Sequence, residues 1–467
     1  MKWWWVAVAA AVSAVLWRFG FRLEPVAGLA VLAPLPVLLV AARVGARVAF
    51  GIGAGSWLAG GLGFWSYLVE TVEQPIPNAA ALIGVSALVY GAAVLLWRGL
   101  MRRGRAGLAV AAFPALWVAF EFLLSLTDLF GAWWSIAYTQ AGVLPLIQTA
   151  ALTGPWGISF LILLVPAAIA SIAGAPRPQR IRIGAAASAV LLAAIGFGGW
   201  RLAQPRSEQT VRVGLLALAQ PPEYVPVDSV AGRDMIARAV TEIERLADQG
   251  AQIVVLPEKA WRADESTLAR LSGPLTEVAV RRSVHVVAGL VLTRGTRSVN
   301  AAVEFPSGVE YAKHHLIRGL EDDLSPGTEW QRVPGEPWAL AVCFDLDRPG
   351  LVRENARRGA TLLLVPALDF TDDAWLHSRM AVLRGVESGV AVARAAQLGE
   401  LVASDAHGRV LATAPTDIGR TASTIATLAL PRERTVYARF GDWFGWACVA
   451  LGALAILGVV RRGDAHD

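Results

Sequence analysis

Along the first 200 positions the apolar residues form long runs with few interruptions, whereas beyond residue 205 they come in short segments separated by charge. A helix that crosses the hydrocarbon core of a bilayer needs about 20 mainly apolar residues. Seven stretches before residue 205 read as spans, centred on residues 4–17, 26–42, 48–68, 79–97, 107–125, 155–174 and 183–200, and an eighth covers 443–460. The first two are short, so their boundaries stay open. Pro and Gly inside these runs do not oppose a span, because neighbouring helices satisfy the backbone groups they free. Met1-Lys2-Trp3 leads into an apolar run with no small-residue cleavage site before Arg18, which reads as a retained first span.

From Thr210 the period changes. Residues 211–218, 252–257, 284–290, 299–305, 339–345, 361–366, 390–395 and 400–404 are β-rich and read as strands. Residues 231–249 carry apolar positions at helical spacing and stop at Gly250, and 349–358 and 374–389 read as further helices. Strands alternating with helices predict a layered α/β fold with one core. Gln204-Pro205-Arg206-Ser207 reads as the linker. The expected organisation is a transmembrane domain over 1–204 with about seven helices, an extramembrane domain over 210–438 and a last transmembrane helix over 443–460.

Composition supports this division: 55% hydrophobic and 17% charged residues, with a mean hydropathy of +0.50, exceed what one water-soluble domain shows. The pI near 9.5 does not point to nucleic acid, because the early basic residues sit in short clusters between apolar runs without interleaved aromatics. Their placement instead predicts orientation, since positively charged short loops stay cytoplasmic. With Lys2 inside, the loops on the same side carry Arg43 and Arg47, then Arg98, Arg102, Arg103 and Arg105, then Arg177, Arg180 and Arg182, and finally Arg461 and Arg462. The opposite loops carry Arg18 and Arg22, and then Glu70, Glu73 and Asp128 without any Lys or Arg. Both termini are therefore expected in the cytoplasm and the large domain on the periplasmic face. Glu121 falls inside an apolar run, where an ionisable group must face protein or water; it reads as a packing or cavity residue. Trp133, Trp134 and Tyr138 read as interfacial aromatics, or as the lining of a lipid path.

Three polar residues stand at or just beyond the apolar strands. Glu258 closes a run that ends Leu256-Pro257, Lys313 lies in Tyr311-Ala312-Lys313-His314-His315-Leu316, and Cys343 lies in Val342-Cys343-Phe344-Asp345. Each has an ordinary reading: a solvated acid, a surface lysine, a small core residue. The two cysteines, Cys343 and Cys448, allow at most one disulfide, and the apolar surroundings of Cys448 argue against that pairing.

Taken together and in this order, residues 210–430 resemble the carbon–nitrogen hydrolase (nitrilase) superfamily, whose Glu, Lys and Cys each lie beside a strand. Arg384-Gly385-Val386-Glu387-Ser388-Gly389 and Asp405-Ala406-His407-Gly408-Arg409 add to the set. Apolar spans before and after such a domain narrow the resemblance to the apolipoprotein N-acyltransferase family. Tyr138-Thr139-Gln140, the stretch from Leu152 to Phe160, and Tyr437-Ala438-Arg439-Phe440-Gly441-Asp442-Trp443 resemble that family's membrane half. Leu256 stands where the family often has Trp, Phe344-Asp345 where it often has Tyr-Glu, and Arg318-Gly319-Leu320-Glu321 where it has Pro-Phe-Gly-Glu. Trp375 to His377 runs into a helix without the family's longer lid.

The resemblance implies an α-helical multi-pass membrane domain plus an α/β nitrilase-like αββα sandwich. It implies Cys343 as nucleophile, Glu258 as base and Lys313 as oxyanion partner, with phospholipid as acyl donor and diacylglyceryl-modified apolipoprotein as acceptor. Glu321, Phe344, Asp345 and Trp375 are implied as supporting or substrate-binding residues: Glu321 orients the Glu–Lys pair, Phe344 offers its N–H to the oxyanion, and Trp375 lies beside the acyl chain. No cofactor or metal is expected, since His314 and His315 are adjacent and the other histidines are scattered. The implied setting is the bacterial inner membrane. A membrane-anchored amidase, an acyltransferase with another amine acceptor, or a non-catalytic scaffold that uses the cleft for binding are the alternatives.

Overall fold

The computed structural model describes residues 2–127, 129–205, 207–221, 224–431 and 434–460. Asp128, Arg206, Arg461 and Arg462, which entered the charge and linker readings, lie outside the described residues. The chain divides into two compact units, one of Met1–Ala203 with Phe440–Asp467 and one of Gln204–Arg439.

Among the described residues of the first unit six helices are long and apolar enough to cross a membrane: Trp3–Gly20, Ala46–Thr71, Ile76–Arg102, Ala106–Ser125, Pro155–Gly174 and Arg177–Ala203. The second expected stretch, 26–42, forms two short helices, Leu29–Leu32 and Pro34–Ala41. The last apolar helix, Trp443–Val459, is also shorter than those six. Aromatic rings fill the space between helices, with Trp57 centred 4.5 Å from Trp17 and 4.3 Å from Trp117. Gly60 permits this approach, because a Cβ there would lie 2.4 Å from that of Trp17.

Residues 131–141 are not α-helical, and every one is buried. Irregular backbone at membrane depth is tolerated where protein covers it, and here Glu121 pins the segment. Its carboxylate accepts hydrogen bonds from the Ile136 N–H at 2.8 Å, Trp117 Nε1 at 2.8 Å and the Ser135 hydroxyl at 3.0 Å. Trp133, Trp134 and Tyr138 follow the segment inward. They are 7%, 2% and 1% exposed, so the interfacial reading of these aromatics is corrected. Trp134 Nε1 donates to Ser86 Oγ at 2.9 Å, which satisfies the one polar atom its burial removes from water.

The described residues of the second unit form thirteen strands: β1 (Thr210–Ala217), β2 (Val225–Pro226), β3 (Ile253–Val255), β4 (Trp261–Asp264), β5 (His285–Arg294), β6 (Arg297–Phe305), β7 (Glu310–Ala312), β8 (Trp338–Leu340), β9 (Leu362–Leu368), β10 (Ala391–Gln397), β11 (Glu400–Ser404), β12 (Val410–Pro415) and β13 (Ala422–Ala429). An eight-stranded sheet runs β13-β1-β3-β5-β4-β2, with β6 on β5 and β7 on β6; a five-stranded sheet runs β12-β11-β10-β9-β8.

Alternate residues of each strand serve different layers, as the pleat requires. Val211, Val213 and Leu215 of β1 meet Leu362 and Leu364 of β9 between the sheets. Leu363 and Val365 of β9 turn the other way, toward the helices Pro349–Arg357 and Ala374–Ser388. Val254 of β3 likewise packs with Met235, Ile243 and Leu275 of the helices Val230–Asp248 and Ala269–Arg282. Strands covered on both faces favour apolar residues at every position, which is why β9 reads as an unbroken apolar run and β10 as one interrupted by Arg394 and Gln397. The layers are helix, sheet, sheet, helix, the αββα sandwich that the resemblance implied. Each fully buried Leu or Val side chain contributes about 1.5–3 kcal/mol.

The Val230–Asp248 helix starts where the Ser229 hydroxyl accepts the Gly232 N–H at 2.9 Å and is followed by Gly250 at φ +89°. The Ala269–Arg282 helix, absent from the sequence reading, has Pro274 and Gly273 in its first turns, which blur its apolar period.

Candidate active site

β3 and β4 lie end to end on one edge of β5: Ile253–Val255 pair with His285, Val286 and Val287, and Trp261–Asp264 with Leu290 to Thr293. Residues 256–260 leave that line. Pro257 lacks an N–H, Lys259 sits at φ +50°, and Gly289 of β5 clears the way: a Cβ there would lie 2.4 Å from the Pro257 carbonyl oxygen and 2.5 Å from Glu258 Cα. The break projects Glu258, 2% exposed, from the C-terminal end of β3. Its N–H donates to the Ala367 carbonyl of β9 at 3.2 Å, a bond from one sheet to the other.

Lys313 follows β7, and its N–H donates to the Asn300 carbonyl of β6 at 2.8 Å. Its ammonium, 1% exposed, donates to Glu258 Oε1 at 2.9 Å and Glu321 Oε2 at 2.8 Å. Asn300 Nδ2 spans the same two acids, reaching Glu258 Oε1 at 2.5 Å and Glu321 Oε1 at 2.7 Å. Lys259 Nζ lies 2.7 Å from Glu321 Oε1, and the Ile317 N–H donates to Glu321 Oε2 at 2.9 Å. Two carboxylates thus face two ammonium groups, which is the condition for burying charge at all.

Cys343 does not end a strand. The run 339–345 was expected to be continuous, but β8 stops at Leu340 and Cys343 opens a tight helical turn, Cys343–Asp347, at φ +42°. A non-glycine residue held in this region stores about 1–3 kcal/mol. Asp345 supplies the restraint: it accepts the Val342 N–H at 3.0 Å, the His315 N–H at 3.0 Å and the Tyr311 hydroxyl at 2.8 Å. The thiol donates to the Leu368 carbonyl at 3.4 Å, and neither Cys343 nor Cys448 is in a disulfide.

Burial, and then the Glu258 carboxylate, push the Cys343 thiol well above its ordinary pKa, against the opposing pull of Lys313. Burial alone would lower Lys313, but Glu258 and Glu321 outweigh it and hold the ammonium charged. Glu321 is also buried, yet Lys313 and Lys259 bring it down to about 2. Burial raises Asp345 despite its hydrogen bonds.

Glu258, Lys313 and Glu321 are thus in direct contact, and Cys343 lies within the electrostatic reach of the first two. Phe344 is half-buried under the Arg348 guanidinium, 5.4 Å from its ring centre. Trp375 is half-buried near the start of the Ala374–Ser388 helix, with the Arg379 guanidinium 5.8 Å from its ring centre. Among the described residues no hydrogen bond or ring contact joins Trp375 to the Glu258–Lys313 cluster. Asn300, Lys259 and Tyr311 were not singled out from the sequence. Asn300 carried a usable signal, being an amide in the β-rich run 299–305.

Asp369, Asp373 and His377 also converge, with His377 Nδ1 3.1 Å from Asp373 Oδ2 and 3.5 Å from Asp369 Oδ1. The guanidinium of Arg394 already grips both oxygens of Asp369, one of them at 2.8 Å. That cation opposes a metal ion, and the group is an ion-pair network.

Residues 13–168 match the apolipoprotein N-acyltransferase N-terminal domain family, and residues 215–437 match the carbon-nitrogen hydrolase family. An apolipoprotein N-acyltransferase of Gloeobacter violaceus is 30% identical over 428 residues, covering 82% of this chain and 79% of its own. The chain belongs to the apolipoprotein N-acyltransferase family. A second member of the apolipoprotein N-acyltransferase family, from Geobacter metallireducens, is 28% identical over 513 residues, spanning 98% of this chain and 96% of its own. A crystal structure of an amidase from Nesterenkonia sp. aligns at a TM-score of 0.41 and 21% identity, over 49% of this chain and 92% of that one. The protein is therefore an acyltransferase of the carbon–nitrogen hydrolase superfamily and a bacterial membrane protein.

Proposed function

We propose that this protein N-acylates lipoproteins, moving a fatty acyl chain from a phospholipid to the N-terminal amine of a diacylglyceryl-modified Cys through a thioester on Cys343. Membership of the family supports the overall reaction. The single observation that carries the chemistry is the buried Glu258–Lys313 pair, 2.9 Å apart, acting on the Cys343 thiol.

A thiol with a raised pKa is a poor nucleophile until a base takes its proton. Glu258 accepts the Cys343 proton as sulfur attacks the phospholipid ester carbonyl. The oxyanion that forms is met by the Lys313 ammonium and the Phe344 N–H, donors fixed before charge develops. The C–O bond breaks, the leaving alkoxide takes the proton from Glu258, and lysophospholipid departs. In the second half-reaction Glu258 takes a proton from the α-amine, nitrogen attacks the thioester, the C–S bond breaks and the thiolate regains its proton. The sequence is ping-pong and the triad is Glu258, Lys313 and Cys343. Glu321 and Asn300 hold Glu258 and Lys313 in register, and Asp345 fixes the turn of the nucleophile. Trp375 contacts the acyl chain. The positive loops around Arg43, Arg98 and Arg177 support a cytoplasmic face for the first unit, with the catalytic unit on the periplasmic side of the inner membrane.

Intact-mass spectrometry of the purified full-length protein after incubation with phospholipid tests this. One fatty acyl increment on the Cys343 peptide is expected, discharged by a diacylglyceryl-Cys peptide. Folded protein that gains no acyl mass at Cys343 overturns the assignment. Discharge by water or by simple amines at equal rate would instead favour an amidase or another acceptor.

A further inference from the structure

Next to the residue whose carbonyl meets the Cys343 thiol, the mechanism leaves an ion pair unused. Asp369 follows Leu368, whose carbonyl meets the thiol, and is 3% exposed; Arg394 of β10 is 2% exposed. The guanidinium donates to both carboxylate oxygens of Asp369. The surroundings are shaped for this carboxylate: a Cβ at Gly399 would lie 2.2 Å from Asp369 Oδ2, and the Asp369 N–H donates to the Gln397 carbonyl at 2.9 Å. On its far side stand His377 and Asp373.

We propose that Asp369 and Arg394 are a positioning pair for the nucleophile: Asp369 fixes the Leu368 carbonyl against the Cys343 thiol, and Arg394 cancels the field of that carboxylate at sulfur. The inference rests on the reading of Cys343 as the reacting sulfur. Four charged groups act on that sulfur: Glu258 from the β3–β4 break, Lys313 after β7, Asp369 after β9 and Arg394 of β10. Glu258 and Asp369 disfavour the thiolate, while Lys313 and Arg394 favour it. Glu258 and Lys313 are a pair of opposite charges, and so are Asp369 and Arg394; removing one member of the second pair exposes sulfur to the other.

The test is the pH dependence of alkylation by iodoacetamide, read by mass spectrometry on the Cys343 peptide of full-length protein without lipid. Asp369→Asn is expected to lower the midpoint by about one pH unit, and Arg394→Gln to raise it by about one unit. The double variant Asp369→Asn/Arg394→Gln, which buries no lone charge of the pair, is expected near the wild-type midpoint, and Arg394→Lys between wild type and Arg394→Gln. A merely structural pair would move both single variants in one direction or leave both midpoints in place, and either result overturns the proposal. If one single variant does not fold, the double variant must still lie on the predicted side of the remaining one; an inverted order overturns the proposal equally. Because no lipid is present, these outcomes are separate from failure of Cys343 to accept an acyl group.

Discussion

Gly289→Ala isolates the geometry of the proposed base, Glu258, from its chemistry, because it changes no charge and touches no reacting atom. Ordinary contact for a Cβ begins near 3.4 Å, and this one would meet the Pro257 oxygen at 2.4 Å, so backbone must retreat by 3.4 minus 2.4, or 1.0 Å. The obstructing atoms are main chain of the segment that carries Glu258, and no rotamer change can relieve them. A displacement of this size in a catalytic group costs about 100-fold in rate, and overpacking costs about 1–3 kcal/mol of stability. The rate of acyl-enzyme formation from phospholipid, measured by quenched-flow and intact mass, is expected to fall by about two orders of magnitude. Gly273→Ala is the control: its Cβ meets nothing within 4 Å on the Ala269–Arg282 helix. It is expected to stabilise the protein by about 0.5–1 kcal/mol and to leave the rate alone. A Gly289→Ala enzyme that acylates at the wild-type rate would refute the claim that this glycine sets the position of Glu258.

Cys343→Ala should abolish acyl-enzyme formation while leaving the melting temperature within a few degrees; acyl labelling of this variant would reassign the nucleophile. Lys313→Arg should be poorly active, because a planar guanidinium cannot replace an ammonium point charge between two carboxylates; normal turnover would remove Lys313 from the oxyanion role. Glu321, held at about 2 against an ordinary value near 4.3, stabilises the fold above that ordinary value. The stability, at most about 3 kcal/mol, is lost as pH falls toward 2. Glu321→Gln should therefore start less stable at about pH 6 and lose less of its melting temperature by about pH 3. Parallel melting curves for the two proteins would speak against the pairing.

The layers of the second unit were legible because β9 is apolar throughout and the polar interruptions of β1 and β10, Arg212 and Arg394 among them, leave most of each strand apolar. β2, β4 and β7 were not, being two to four residues long and dependent on neighbours for their pairing. Glu258, Lys313 and Cys343 stood out as polar residues against apolar strands. The turn at Cys343 did not, because its restraint runs through Asp345 to Tyr311 and His315 some 30 residues away, and apolar pattern cannot register such bonds. Asn300 marked itself only as an amide in a β-rich run; its role did not show, because its partners are 42 and 21 residues distant. In the membrane unit Trp133 and Trp134 misled because aromatic composition describes an interface and an interior equally well, and only the burial of 131–141 separates them.

The end of β9 works as a ruler for the proposed reaction centre. Ala367 holds the main chain of Glu258 and Leu368, the next residue, holds the Cys343 sulfur. Two neighbouring carbonyls cannot drift apart by more than the backbone allows, so breathing of one sheet against the other carries both partners along. An insertion at residues 367–368 would therefore move Glu258 and the Cys343 sulfur apart, lengthen the proposed proton path and silence the enzyme.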